Sequence, residues 1–234
     1  MCSALRPPNL VVCDLGCGSG DNTLIFLSEV ISASGGHNMV GVQFFLNDLP
    51  GNDFNRIFQS VEQFKNSFTA HHKGERLLPF YIAGLSGSYY TRLFPSQSVH
   101  LFHSSYSLHW QSQVHKMRII QYNSSSVIYN LVIFIQILEC SSVYAIQLPD
   151  GLDGSKRNIY IAKATSPPCV AQLYQEQFQK DMMLFLELRY DELVVGRKMV
   201  LTFLGRKEED VYSGNLNYLY ELLSQSLRSL VDKV

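Results

Sequence analysis

The stretch Val12-Cys13-Asp14-Leu15-Gly16-Cys17-Gly18-Ser19-Gly20 constrains what this chain can fold into more than any other. An apolar run ends in an acid, glycines follow at alternate positions, and a helical pattern begins at once with Asp21-Asn22-Thr23-Leu24. Glycine lets backbone turn sharply and approach a ligand with no Cβ in the way. The free N–H groups of the following helix point back at whatever occupies the turn. Strand–turn–helix units of this kind hold nucleotide-like cofactors at the carboxyl end of the strand. The Asp-x-Gly-x-Gly-x-Gly spacing is not the Gly-x-Gly-x-x-Gly of dinucleotide enzymes, which makes an oxidoreductase a distant alternative.

The rest of the chain reads as strands alternating with helices, hence an α/β fold with a largely parallel sheet. Strands are expected over Leu10–Asp14, Val40–Asn47, Phe80–Ala83, Val99–Phe102 and, after a turn at Val195-Gly196, over Lys198–Leu204. Helices are expected over Asp21–Ser34, Gly51–Lys65, Val170–Leu193 and Leu216–Val231. In the second of these, Phe54, Ile57, Phe58, Val61 and Phe64 form an i, i+3, i+4, i+7 stripe. From His115 to Leu148 the chain is dense in Ile, Val, Tyr and Ser without a clear period, and pattern reading cannot separate strand from helix.

Bulk properties exclude several classes. A formal charge of -1 over 234 residues gives no electrostatic reason to expect nucleic acid or an acidic membrane as partner. Val127–Leu138 is too short to cross a bilayer, which needs roughly 20 apolar residues. Five cysteines (Cys2, Cys13, Cys17, Cys140, Cys169) form no zinc spacing, and their odd number argues for free thiols in a reducing compartment. With no secretory pattern after Met1, the expected location is the cytosol.

Three further clusters carry polar chemistry after strands. Asp48, in Leu46-Asn47-Asp48-Leu49-Pro50, is placed to hydrogen-bond ribose hydroxyls; the alternative is a cap for the helix beginning near Pro50. With a glycine turn upstream, ribose binding is the better reading. Gly84-Leu85-Ser86-Gly87-Ser88-Tyr89-Tyr90 lets backbone approach a flat ring, or is a polar surface turn. His103-Ser104-Ser105-Tyr106-Ser107-Leu108-His109-Trp110 holds the single tryptophan, whose N–H suits a carboxylate oxygen in an apolar pocket but whose default place is the core. No Gly-x-Ser-x-Gly and no consistent triad order support a hydrolase. His71-His72 and the His100/His103 pair read as solvent-facing or structural.

Together these blocks resemble the plant SABATH family of S-adenosylmethionine (SAM) dependent methyltransferases, which methylate carboxyl groups of small acids. The match runs through DLGCGSGDNT (14–23), FFLNDLPGNDFN (44–55), GSYYTRLFP (87–95) and VHLFHSSYSLHW (99–110), and resumes in RNIYIAKATSPPCV (157–170) and 174–207. The resemblance implies a Rossmann-like class I methyltransferase sheet with helices on both faces. It implies that Asp14, Gly16, Gly18 and Asn22 shape the methionine end of the pocket, that Asp48 holds the ribose diol, and that Leu49 packs on adenine. Ser88 and Tyr89 would flank the base, where the family usually has Ser-Phe. Ser105 and Tyr106 would approach the sulfonium, and Trp110 with His109 would orient the acceptor carboxylate. Asn158 matches a position that helps bind a metal ion, Mg2+, in some members. The acceptor would be a small acid of salicylate, benzoate or jasmonate type, and a homodimer is expected.

Three departures qualify this. Met1 falls where family members are already well inside the chain, and Val234 falls within a helix, so residues 1–234 read as one incomplete domain with its helical cap largely missing. Family sequence breaks after Ser112-Gln113-Val114 and resumes at Pro149-Asp150-Gly151, so residues 115–148 read as an atypical insertion, a translated intron or gene-model error. A non-catalytic SAM-binding fragment, or a dimer partner of full-length relatives, is the alternative function.

Overall fold

The computed structural model describes residues 9–34, 41–72, 78–110, 112, 162–203, 210, 212 and 215–231. These form β1 (Asn9–Leu15), α1 (Asp21–Ser34), β2 (Gly41–Asp48), α2 (Phe54–His71), β3 (Phe80–Ser86) and β4 (Val99–Ser105). Then follow α3 (Val170–Glu192), β5 (Leu193–Thr202) and α4 (Asn215–Val231). The segment 115–148 and Asn158 lie outside the described residues. The chain divides into two compact units, one of residues 1–109 and 183–203, the other of residues 110–182 and 204–234.

The first unit holds a five-stranded sheet in the order β3-β2-β1-β4-β5, and every pairing is parallel. Chain order runs outward from β1 through β2 to β3, then returns to β4 on the other side of β1. That reversal opens a crevice at the carboxyl ends of β1 and β4, where open α/β sheets bind ligands. On one face, α1 and α2 cover Val12, Val42 and Phe44 with Leu27, Ile31 and Phe68, all buried. A neighbouring cluster of Cys17, Leu46, Ile57 and Val61 continues this core toward the turn.

Successive strand residues face opposite sides. Leu101 packs into the α1/α2 core, whereas Phe102 meets Phe94 and lies 5.4 Å beneath the Arg189 guanidinium at the end of α3. Helical residues therefore cover both faces of the sheet, as expected of a Rossmann-like sheet with helices on both faces.

Three of the boundaries that differ from the sequence expectation do so for identifiable reasons. Pro50 and Gly51 belong to a turn, and α2 starts only at Phe54, where the Asp53 side chain accepts the Arg56 N–H at 3.1 Å. The helix then runs past Lys65 to His71, because Phe68 adds one more buried turn to the apolar stripe. The last strand starts at Leu193 directly out of α3, with no turn before it. Gly196 instead sits inside the strand at φ +78, where the pairing shifts between Val99↔Leu193 and Leu101↔Lys198. A left-handed glycine inside a strand marks such an irregularity. In the second unit, α3 up to Met182 and α4 are the described helices.

Candidate functional site

The glycine turn joins β1 to α1 at the carboxyl edge of the sheet, and Gly16, Gly18 and Gly20 adopt φ values of +74, +55 and +97. Residues with a Cβ rarely enter this region. The turn is anchored from below, because the Gly16 and Cys17 N–H groups both donate to the Asn47 carbonyl, at 2.9 and 3.0 Å. The Asn47 side chain in turn donates to the Leu85 and Gly87 carbonyls, each at 2.9 Å, tying the ends of β2 and β3 together. A Cβ on Gly16 would run into the Ser107 side chain, whose Oγ would stand 2.6 Å away. A Cβ on Gly18 would meet nothing within 4 Å. One glycine is thus packed against protein, and the other opens onto free space.

Asp48 stands beside that space. Its Oδ2 accepts the Gly18 N–H at 2.8 Å and the Asn52 amide at 2.9 Å, while Oδ1 accepts the Leu49 N–H at 2.7 Å. Asn52 also donates to the Gly18 carbonyl at 2.8 Å, so it clips the glycine turn to the acid. The capping alternative for Asp48 gives way to these contacts, since Asp53 caps α2. Burial raises the Asp48 pKa above its ordinary value, against the lowering effect of its three hydrogen bonds. A carboxylate offers about four lone-pair positions; three are used, and one on Oδ1 is left for a further donor.

Asp14 is buried at the end of β1, accepting the Thr23 hydroxyl at 2.5 Å through Oδ2. Its Oδ1 lies 2.7 Å from His103 Nδ1, and the His103 ring stacks on Phe26 with centroids 3.9 Å apart. His103 therefore locks β1, β4 and α1 together, a structural role. His100 is likewise structural, its Nδ1 accepting the Val11 N–H at 3.1 Å. The two carboxylates, Asp14 and Asp48, both face the turn and both help raise the Cys17 thiol pKa, after burial.

Of the remaining expected site residues, Asn22 is exposed on the first turn of α1, and Leu49 is half-buried beside Asp48. The Ser88 Oγ accepts the Tyr90 N–H at 3.2 Å. Tyr89 is buried, its hydroxyl donating to the Ser107 carbonyl at 2.8 Å, and its ring edge would stand 3.5 Å from a Cβ on Gly16. Ser105 ends β4. Tyr106 follows with φ +52 and 47% exposure, its N–H bonded to the Thr202 carbonyl at 3.0 Å. His109 is an exposed turn residue, and half-buried Trp110 opens the second unit.

Sequence reasoning missed the polar residues that hold this edge together. Asn47, Asn52, Ser104 and Ser107 are among them; Ser104 and Ser107 each donate to the Leu15 carbonyl at 3.0 Å. It also missed Arg189 and Glu192, both fully buried at the end of α3. Arg189 donates to the Tyr89 and Thr91 carbonyls at 2.8 and 2.9 Å. Glu192 accepts the Leu93 and Phe94 N–H groups at 2.6 and 3.0 Å. The pair thereby holds the whole loop after β3. Its direct contacts are a hydrogen bond of 3.0 Å from Nη2 to Oε1 and an ion-pair approach of 2.8 Å between Nε and Oε2 outside hydrogen-bond geometry. Among the described residues there is no group of three or more His, Cys, Asp or Glu arranged to hold a metal ion.

Comparison with known proteins adds to this geometry. The family model for SAM-dependent carboxyl methyltransferases matches residues 1–146 and 131–234. Anthranilate O-methyltransferase 3 of Zea mays is 48% identical over 99% of this chain and 55% of its own length. Benzoate O-methyltransferase of Zea mays is 45% identical over 99% of this chain and 56% of its own. Among solved structures, loganic acid methyltransferase with SAH superposes with a TM-score of 0.64 at 28% identity, over 98% of this chain and 56% of that one. The chain spans about half the length of the curated relatives it matches.

Proposed function

Because this chain belongs to the SAM-dependent carboxyl methyltransferase family, we propose that it binds SAM at the glycine turn and methylates the carboxylate of a small benzenoid acid. The observation that carries the cofactor half is the joint Gly18–Asp48–Asn52 arrangement. It combines open space above a left-handed glycine with an acid that has one lone-pair position left. The donor set fits the group: a ribose diol donates to Asp48, and the Asp14/Asp48 field favours a cationic cofactor. When bound, SAM supplies a methyl group already activated on a sulfonium.

The protein's own residues then have little chemistry to perform. A benzoate-type carboxylate is ionised at pH 7 and is itself the nucleophile. No general base is needed. Gly16, Gly18 and Asn22 line the methionine end, Leu49 covers adenine, and Ser88 with Tyr89 flanks the base. Ser105 and Tyr106 exclude water near the methyl group, and Trp110 with His109 orients the acceptor carboxylate. Holding the reacting atoms at roughly 3 Å in line contributes up to about 7–11 kcal/mol when geometry is ideal.

The relatives described above act, by name, on anthranilate and benzoate. They favour the benzenoid arm over jasmonate. A homodimer and a cytosolic location belong to the same proposal; no helix among the described residues is long and apolar enough to cross a membrane. Residues 115–148 are proposed to be foreign to the family domain, and a mature transcript encoding them in full would overturn that.

The test is methyl-ester formation from SAM with benzoate and with anthranilate. Ester from either acid, with a rate flat in pH above the acid's own pKa, is expected. SAH binding without ester from any acid would replace this reading with that of a binding fragment.

A further inference from the structure

We infer that Asp181, acting through Ser112, is a positioning residue that sets the place of Trp110. The inference rests on the reading above that Trp110 meets the acceptor carboxylate. All three residues belong to the second unit. Asp181 lies on α3 and is 3% exposed. Its Oδ2 accepts the Ser112 N–H at 2.8 Å, and its Oδ1 accepts the Ser112 hydroxyl at 2.5 Å. Gln177, one turn earlier and also buried, donates its amide to the same Oδ1 at 2.8 Å.

A carboxylate is costly to bury unless its oxygens are satisfied. Here none of the three donors carries a full charge, and two of them come from one residue. A fork of backbone N–H and side-chain hydroxyl on a single carboxylate fixes the backbone of that residue in both place and orientation. Ser112 lies two residues beyond Trp110 in the chain and 69 residues before Asp181. The long-range fork therefore pins the chain at Ser112, two residues past the indole. A neutral amide at 181 fills the same volume but turns an N–H2 toward one of the two donors.

The chain has one tryptophan, so its emission reports on this segment alone. The experiment compares wild type, Asp181→Asn, Ser112→Ala and Ser112→Thr in the full chain. It reads acrylamide quenching of Trp110, the benzoate titration of its emission, KM and kcat for benzoate, and SAH affinity. For Asp181→Asn we expect stronger quenching and a benzoate titration and KM shifted upward roughly tenfold, the worth of a charge-assisted hydrogen bond. SAH affinity and kcat should stay near wild type. Ser112→Ala should move the same readouts less, and Ser112→Thr should restore them. Should Asp181→Asn fail to fold, the two Ser112 variants carry the test. Unchanged quenching and titration in the variants, against a responsive wild type, would overturn the positioning role. Wild-type emission that ignores every acid tested would overturn the reading of Trp110 itself, and this inference with it.

Discussion

The glycine turn and the chain just past Trp110 are both tied down by buried polar groups, but of different kinds. The turn is held redundantly: Asn47 takes two N–H groups, Asn52 bridges to Asp48, and Ser104 and Ser107 grip the Leu15 carbonyl. The loop beside it is held by both ends of the Arg189–Glu192 pair. Two residues past Trp110, Ser112 is held by both oxygens of the Asp181 carboxylate. The difference teaches where each half is vulnerable. Removing a packed anchor of the turn should cost the sheet stability, whereas freeing Ser112 should leave the sheet intact and, on the proposed role of Trp110, show as lost acceptor recognition.

The largest effect that would break this contrast is at Arg189. Replacing it by Met strands the Glu192 carboxylate in a dry interior, and such losses cost about 3–5 kcal/mol. Urea melting should show that drop. A loss under 1 kcal/mol would mean that the pair does not hold the edge.

Next come two glycines carrying the same substitution. Gly16→Ala combines a left-handed φ with a clash against Ser107, and should cost about 2–4 kcal/mol of stability. Gly18→Ala suffers only the backbone penalty of about 1 kcal/mol, because its Cβ enters open space. That space is where the cofactor is proposed to lie, so Gly18→Ala should lose SAH binding while still folding. Equal melting losses for the two would erase the distinction between packed and open glycine.

Asn52→Ala should be milder. Removing the clip between Gly18 and Asp48 should weaken SAH roughly fivefold, or about 1 kcal/mol, with the melting curve little moved.

The smallest effect is on pH. Burial raises the folded pKa of Asp48, so the folded state holds that proton more tightly than the unfolded chain does. Its contribution to stability is then largest below the unfolded value, about 3.9, and is lost as pH rises through the folded one. Binding has the opposite sign, since a protonated Asp48 is a poorer acceptor for Gly18 and for a ribose. SAH affinity should fall on acidification before exposed carboxylates titrate, and Asp48→Asn should abolish that slope.

The sheet was legible because its signals are local. α1 runs from Asp21 to Ser34 as the pattern indicates, and the acid–glycine spacing placed the turn and Asp48. What was illegible is nearly all long-range. Arg189 and Glu192 sit on a helix where charges ordinarily meet water, and their partners lie about a hundred residues away. Asn47 and Asn52 stood inside the recognised block, yet nothing in a run of polar residues says which carbonyl each will reach. The Gly196 irregularity looked like a turn because a glycine between two apolar runs carries the same local signal in both settings.

The most direct test of the central claim is calorimetric titration of the folded chain with SAH, in wild type and in Asp48→Ala. Saturable binding by wild type that disappears in Asp48→Ala is the result expected of a cofactor turn completed by its acid. No binding by a folded wild type, or undiminished binding by Asp48→Ala, would contradict it.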